Sequence, residues 1–206
     1  MSLTPGRTAF DRYSRGVLRL LEGGASPRNL ILLRRVDSTQ RLCRKFVQEY
    51  LKEDEPVPAA TLVAYQQSAG RGREGRVWKS PPGQGVYMTL VRPLEDPAAV
   101  AWLPLLVGVT LVETVNGWVG GRCRLKWPND LLVGGQKIGG ILIDAISRPG
   151  GGAIAFIGFG VNRGRRGGAP PLPGATSLAA EARSPPTLAR LAGELVSALD
   201  AGWPKL

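Results

Sequence analysis

The stretch Gly70-Arg71-Gly72-Arg73-Glu74-Gly75-Arg76-Val77-Trp78 interleaves three glycines with three arginines. Glycine lets backbone N–H groups converge on an anion. The forked guanidinium donors suit phosphate or carboxylate, and Trp78 adds a flat face on which a base can stack. The stretch is not the phosphate loop of P-loop proteins, which needs Gly-Lys-Ser/Thr after four spacer residues. On composition alone it reads equally as an RGG-type nucleic-acid loop or a solvated surface loop. Three like charges crowd a flexible backbone with nothing apolar to hold it down. The loop is therefore expected to be disordered when empty and to order over an anionic ligand.

Lys126-Trp127-Pro128-Asn129-Asp130 puts a lysine at a strand end, then a turn and two polar groups. Asp130 could hold a magnesium ion or accept a proton, and Asn129 could orient phosphate oxygens. The alternative is a capped turn with a surface Lys–Asp pair. In Lys137-Ile138-Gly139-Gly140-Ile141-Leu142 one lysine opens an apolar strand with paired glycines, a mark of close ligand approach or of a hairpin with a solvated base. Gly158-Phe159-Gly160-Val161-Asn162 is a similar strand, or a bulge. Asp37-Ser38-Thr39 by itself is a helix cap.

These residues need a scaffold. Residues 7–22 are expected as a helix with Phe10, Val17, Leu18 and Leu21 on one side, broken by Gly23, Gly24, Ser26 and Pro27. Strands are expected at 30–36, 61–65, 86–91, 122–127, 130–133, 137–145 and 153–160, with Gly134-Gly135 as a hairpin turn. Helices should follow the Asp37-Ser38-Thr39 cap and run from about 187 to 199. The apolar stretch from Ala98 to Val115 is interrupted by Trp102, Pro104, Gly108, Thr110 and Glu113, so it is expected as a buried helix rather than a membrane span. Strands outnumber helices and hairpins outnumber crossovers. The fold class is α/β of the α+β type: a mixed sheet with helices mainly on one face. Two segments are expected, a helical arm (1–27) and a catalytic domain (28–206).

The 206 residues contain no histidine, which excludes His-based acid–base catalysis and His-containing zinc sites. Two cysteines, Cys43 and Cys123, make neither a disulfide framework nor a Cys-only zinc site. Any metal should be a hard cation on oxygen ligands, with no zinc and no haem. A net charge of +11 favours anionic partners without choosing among nucleotides, nucleic acid and acidic proteins. Residues 7–19 are Arg-rich like a transit peptide but include Asp11, and no signal-peptide core precedes them, so the expected location is the cytoplasm.

In this order and spacing, the blocks Asp37-Ser38-Thr39-Gln40, Gln67-Ser68-Ala69 followed by GRGREGR, KWPND, KIGGIL and GFGVN resemble biotin–protein ligase, the biotin–[carboxylase] holoenzyme synthetase family. Ala175-Thr176-Ser177-Leu178 is a weaker match. The resemblance covers residues 30–203 and implies a fold related to class II aminoacyl-tRNA synthetases. It implies that biotin and ATP form biotinyl-adenylate, with magnesium, and that biotin passes to a lysine of a biotin carboxyl carrier protein. Ser38, Thr39, Gln67, Gly70, Arg71, Gly72, Lys137, Gly140, Leu142, Gly158 and Gly160 are implied for biotin. Arg73, Arg76, Trp78, Asn129 and Asn162 are implied for the nucleotide. Lys137, Arg73, Asp130 and Lys126 are implied for the chemistry, Asp130 also for magnesium. The chain lacks the family's N-terminal winged helix, so no specific DNA binding is expected, and it ends before the small C-terminal β domain. It is expected as a monomer or homodimer, away from membranes. Competing readings are lipoate or octanoate transfer, a non-catalytic nucleic-acid-binding module, and an inactive ligase homologue.

Overall fold

A computed structural model describes residues 8–21, 29–148, 150–165, 168 and 172–201. In chain order the elements are α1 (Ala9–Leu21), β1 (Leu30–Leu33), α2 (Thr39–Lys52), β2 (Ala60–Ala64), β3 (Gly85–Leu94), α3 (Leu103–Val119), β4 (Cys123–Lys126), β5 (Asp130–Val133), β6 (Gln136–Ser147), β7 (Ala153–Asn162), α4 (Leu178–Glu181) and α5 (Leu188–Ala201). The strands form one seven-stranded sheet in the order β1-β2-β3-β7-β6-β5-β4. Only β1 and β2 pair in parallel. The expected mixed architecture is the one the chain adopts.

The spine of the sheet is β3 against β7, paired from Gly85↔Asn162 to Leu94↔Ala153. Every residue of β7 is buried, because both of its faces are covered. Met88, Leu90, Ala155, Ile157 and Val161 meet α1, α3 and α5 on one face. Val91, Ile154 and Phe156 meet Cys43 and Val47 of α2 on the other. Helices thus lie mainly on one face, and among the described residues α2 alone shares the second with the site.

Local signals set several boundaries. Ser38 stands in extended conformation ahead of α2 and its side chain accepts from the Arg41 N–H. Thr8 and Asp11 cap α1 reciprocally: Thr8 N–H donates to the Asp11 carboxylate, and Asp11 N–H to the Thr8 hydroxyl. That cap starts the helix at Ala9. Its buried side is Tyr13, Val17 and Leu21, one turn apart, whereas Leu18 is exposed. Within the expected arm, α1 packs on α5 and shares the main core. The chain breakers expected at 23–27 lie outside the described residues.

The helix expected to be buried is buried along one side only. Leu103, Val107, Leu111, Val115 and Val119 of α3 line the core, while Trp102, Leu105 and Val109 face out. Pro97–Val119 is long and apolar enough to cross a membrane by length and composition, yet its inner stripe is spent on the sheet. β1 ends at Leu33, short of the expected Val36, and pairing with the chain after β2 resumes at the isolated bridge Val36↔Gln67. The short α4 was not expected.

One polar pair sits inside this core. Arg92 of β3 and Asp200 of α5 form an ion pair with side chains 7% and 14% exposed, and the guanidinium also donates to the Ala60 and Val91 carbonyls. Asp200→Ala is expected to lower unfolding free energy by about 3–5 kcal/mol, because it strands a buried charge. Urea titration with an unchanged slope measures this. Burial pushes the Cys43 thiol up to about 12 and the Cys123 thiol to about 11. Neither should react with a thiol reagent at pH 8 in the folded chain, and both should react in denaturant.

Candidate active site

The floor of the site is sheet without side chains. Strand pairing sets Tyr87, Gly160, Gly140 and Asp130 in one row, and Thr89, Gly158 and Leu142 in the next. Alternation puts both rows on the face of α2. A Cβ at Gly158 would lie 2.5 Å from Gln40 Oε1, and one at Gly160 would lie 2.5 Å from the Trp78 indole. At Gly140 it would stand 3.2 Å from that indole and 3.3 Å from Lys137 Cε. Side chains from a helix, a loop and a strand therefore rest directly on bare backbone.

The end beneath α2 is neutral and hydrogen-bonded. The bridge Val36↔Gln67 brings Gln67 beside the start of α2, where its Oε1 accepts from Thr39 N–H at 2.8 Å. The Thr39 hydroxyl is 3.2 Å from the same oxygen and 2.8 Å from the Thr89 hydroxyl. Gln67 Nε2 donates to Ser80 Oγ at 2.9 Å. Ser38, Thr39, Gln40 and Thr89 are all buried. A polar network this enclosed is fixed in geometry, because each member satisfies another.

The opposite end carries charge. The register of β5 on β6 shifts between Leu131 and Leu132, leaving Ile138 without a partner across the pair. This bulge reverses the alternation. Ile138 and Ile141 both enter the core, while Lys137 joins Gly140 on the site face. Lys137 Nζ lies 2.6 Å from Asp130 Oδ1 as an ion pair and 5.4 Å from the Trp78 ring centroid. The Asp130 oxygen is buried and makes no aligned hydrogen bond. Lys137 N–H donates to Gly174 O, and Thr176 N–H to Lys137 O. The Asn162 amide, expected at the nucleotide, donates to Thr176 O at 3.1 Å and so braces that segment.

The arginine-rich loop lies across the mouth. Gly72 N–H donates to Arg76 O and Trp78 N–H to Gly70 O. Arg73 donates to Asn129 Oδ1 at 3.2 Å, tying the loop to the turn after β4, where the Trp127–Pro128 peptide is cis. The expectation that nothing apolar holds this loop down is corrected: Trp78 seats it on Gly160 and Gly140. Arg76 pairs with Glu74 in an exposed ion pair.

The cavity measures about 270 Å³. Arg71, Arg73, Arg76, Lys79 and Lys137 on its wall outnumber Glu74 and Asp130, so it favours an anion. Ser38, Thr39, Gln67, Gly72, Leu142 and Gly158 also line it, as sequence reasoning placed them. Gly70 and Lys126 do not. Gly70 is buried at the foot of the loop, where a Cβ would collide with the Trp78 carbonyl. Lys126 ends an edge strand and is exposed. Thr89 and Gln40 were not singled out for the wall. A single threonine inside the run 86–91 was the available signal for Thr89.

Comparison with known proteins gives a consistent set. Residues 32–162 match the model of the biotin/lipoate A/B protein ligase family. The chain is 35% identical over 151 residues to the bifunctional ligase/repressor BirA of Escherichia coli K12, covering 73% of this chain and 44% of that protein. It is 32% identical over 152 residues to the biotin–[acetyl-CoA-carboxylase] ligase of Mycobacterium tuberculosis, covering 70% and 54%. The chain thus spans about half the length of these relatives. Among solved structures, the Aquifex aeolicus biotin protein ligase in complex with biotin and ATP superposes with a TM-score of 0.65 at 28% identity, covering 85% of this chain and 70% of that one.

The seat of Trp78 can be tested. Gly160→Ala puts a methyl where the indole lies, an overpacking cost of about 1–3 kcal/mol. Trypsin should then cut after Arg71, Arg73 or Arg76 about tenfold faster, followed by mass spectrometry.

Proposed function

The chain belongs to the biotin/lipoate A/B protein ligase family, and from that premise we propose that it is an ATP-dependent biotin–protein ligase. It joins biotin to AMP and passes the acyl group to a lysine of a biotin carboxyl carrier protein. The observation that carries this reading is the polarity of one cavity. A neutral hydrogen-bonding end (Ser38, Thr39, Gln67) suits an uncharged ring, and a cationic end (Lys137, Arg71, Arg73) suits the carboxylate and phosphate. The Mycobacterium tuberculosis relative and the Aquifex aeolicus structure carry biotin in their names, which favours biotin over lipoate within the family.

Biotin's carboxylate attacks the α-phosphorus of ATP, and pyrophosphate leaves. Positioning and charge neutralisation lower the barrier. Lys137 neutralises the junction of the two anions; its Nζ lies 2.6 Å from Asp130 Oδ1 and its chain rests over Gly140, which supports that role. The Arg71–Arg73 loop covers the junction, and Trp78 excludes water. In the second step the carrier amine attacks the acyl carbon, AMP leaves, and a proton must be lost by an amine of reference pKa near 10.4. Without a histidine in the chain, Asp130 is the acceptor beside the reacting centre. Arg76, Asn129 and Asn162 serve the nucleotide end, with Asn162 acting through the 174–176 segment. Exposed Lys126 serves the approaching carrier.

Magnesium fits the donors present. Asp130 brings one buried carboxylate oxygen, and no group of three His, Cys, Asp or Glu side chains forms among the described residues. That composition suits an ion held by one carboxylate together with phosphates and water. Bound there, it would supply further charge neutralisation at phosphate oxygens.

Pyrophosphate release from ATP should depend on biotin, and neither lipoate nor omission of the acid should replace it. Equal release without biotin rejects the reading. Lys137→Ala should slow biotin-dependent release by about 10²–10³-fold, the scale for losing one electrostatic stabiliser of a transition state. Steady-state turnover measures this.

A further inference from the structure

Two hollows open in the floor where β7 carries glycine, and the chain fills both itself. The one over Gly160 is filled from a loop by Trp78. The one over Gly158 is filled from helix α2 by Gln40, whose Oε1 and Cδ would lie 2.5 Å and 3.3 Å from an added Cβ. Resting on the ligase reading, we propose that Gln40 is a specificity-determining residue: it sets the depth of the neutral end and hence the largest ring that end accepts.

The hydrogen bonds of Gln40 are directed away from any ligand. Nε2 is 3.1 Å from Phe156 O, 3.3 Å from Asp144 Oδ2 and 3.5 Å from Leu142 O. Oε1 is 3.1 Å from the Thr89 hydroxyl. Acceptors on one side and a donor on the other fix which end of the amide is which. Arg44 in turn holds Asp144 at 3.0 Å. Gln40 is 3% exposed and lies on the cavity wall. With its polar atoms committed to the sheet and to Thr89, it meets a ligand as shape. A loop residue can leave its hollow when the loop lifts. Gln40 sits in the first turn of a capped helix and cannot, so the depth it sets holds through the catalytic cycle.

Shortening the side chain should deepen the neutral end by the atoms removed, and one methylene of pocket is worth about tenfold or more in discrimination. The test compares dissociation constants, by titration calorimetry, of the full chain and of Gln40→Asn, Gln40→Ala and Gln40→Met. The ligands are biotin, its sulfone and a biotin methylated on a ring nitrogen. Gln40→Asn and Gln40→Ala should each narrow the preference for biotin over at least one enlarged acid about tenfold, Ala the more. Gln40→Met keeps the length without the hydrogen bonds and should keep the preference. An unchanged ratio in both shortened variants, or the same loss in Gln40→Met, overturns the proposal. Because Gln40→Ala also removes buried hydrogen bonds, melting curves accompany each titration, and an Ala variant that does not fold leaves the Asn and Met pair to decide. If the unaltered chain binds no biotin, the ligase reading falls, and this inference with it.

Discussion

The site depends on bare backbone. Where Gly140, Gly158 and Gly160 lie on adjoining strands, a sheet that is otherwise clad on both faces presents no side chains of its own. Strands sit about 4.8 Å apart, so three missing side chains on neighbouring strands make one continuous trough. α2 lowers Gln40 into it, the arginine-rich loop lowers Trp78, and β6 lays Lys137 along its edge. Any larger residue at the two β7 glycines would have to evict one of these tenants.

Charge completes what shape begins. Lys137 is held from two sides, by Asp130 and by the face of Trp78. The attraction to the ring adds about 0.5–2 kcal/mol to a placement the ion pair already defines. Arg71 and Arg73, also on the wall, form no ion pair among the described residues, whereas Arg76 is taken up by Glu74. An incoming anion would relieve the mutual repulsion of Arg71 and Arg73.

Much of this was legible in the sequence, for identifiable reasons. The Ser38 cap, the Gly134-Gly135 turn and the strand blocks are local signals and survived into the fold. The lysine, arginine and glycine positions of the site were visible because ligand chemistry restricts residue type there. Other features belong to tertiary contact. Tyr13 displaced Leu18 on the buried side of α1 because α5 and the sheet decide which side is inward. The outward stripe Trp102, Leu105 and Val109 could not be separated from the inward one by hydropathy, since both are apolar. Gln40 entered only as the last residue of the Asp37-Ser38-Thr39-Gln40 block, and only Gly158, across from it on the sheet, gave it a place in the wall. Arg76 looked equal to Arg71 and Arg73, until Glu74 two residues away engaged it.

The unpaired Ile138 has a consequence for how this stretch tolerates change over generations. Between Gly135 and Gly140, chain length carries information that residue identity does not. Removing Gln136 would re-pair Ile138 with Leu132 and restore strict alternation, which swings an ammonium group into the oily interior and an isoleucine into the solvent-facing trough. Lineages descended from such a chain can drift in the letters of this segment, but an in-frame loss of the codon before Lys137 should be purged.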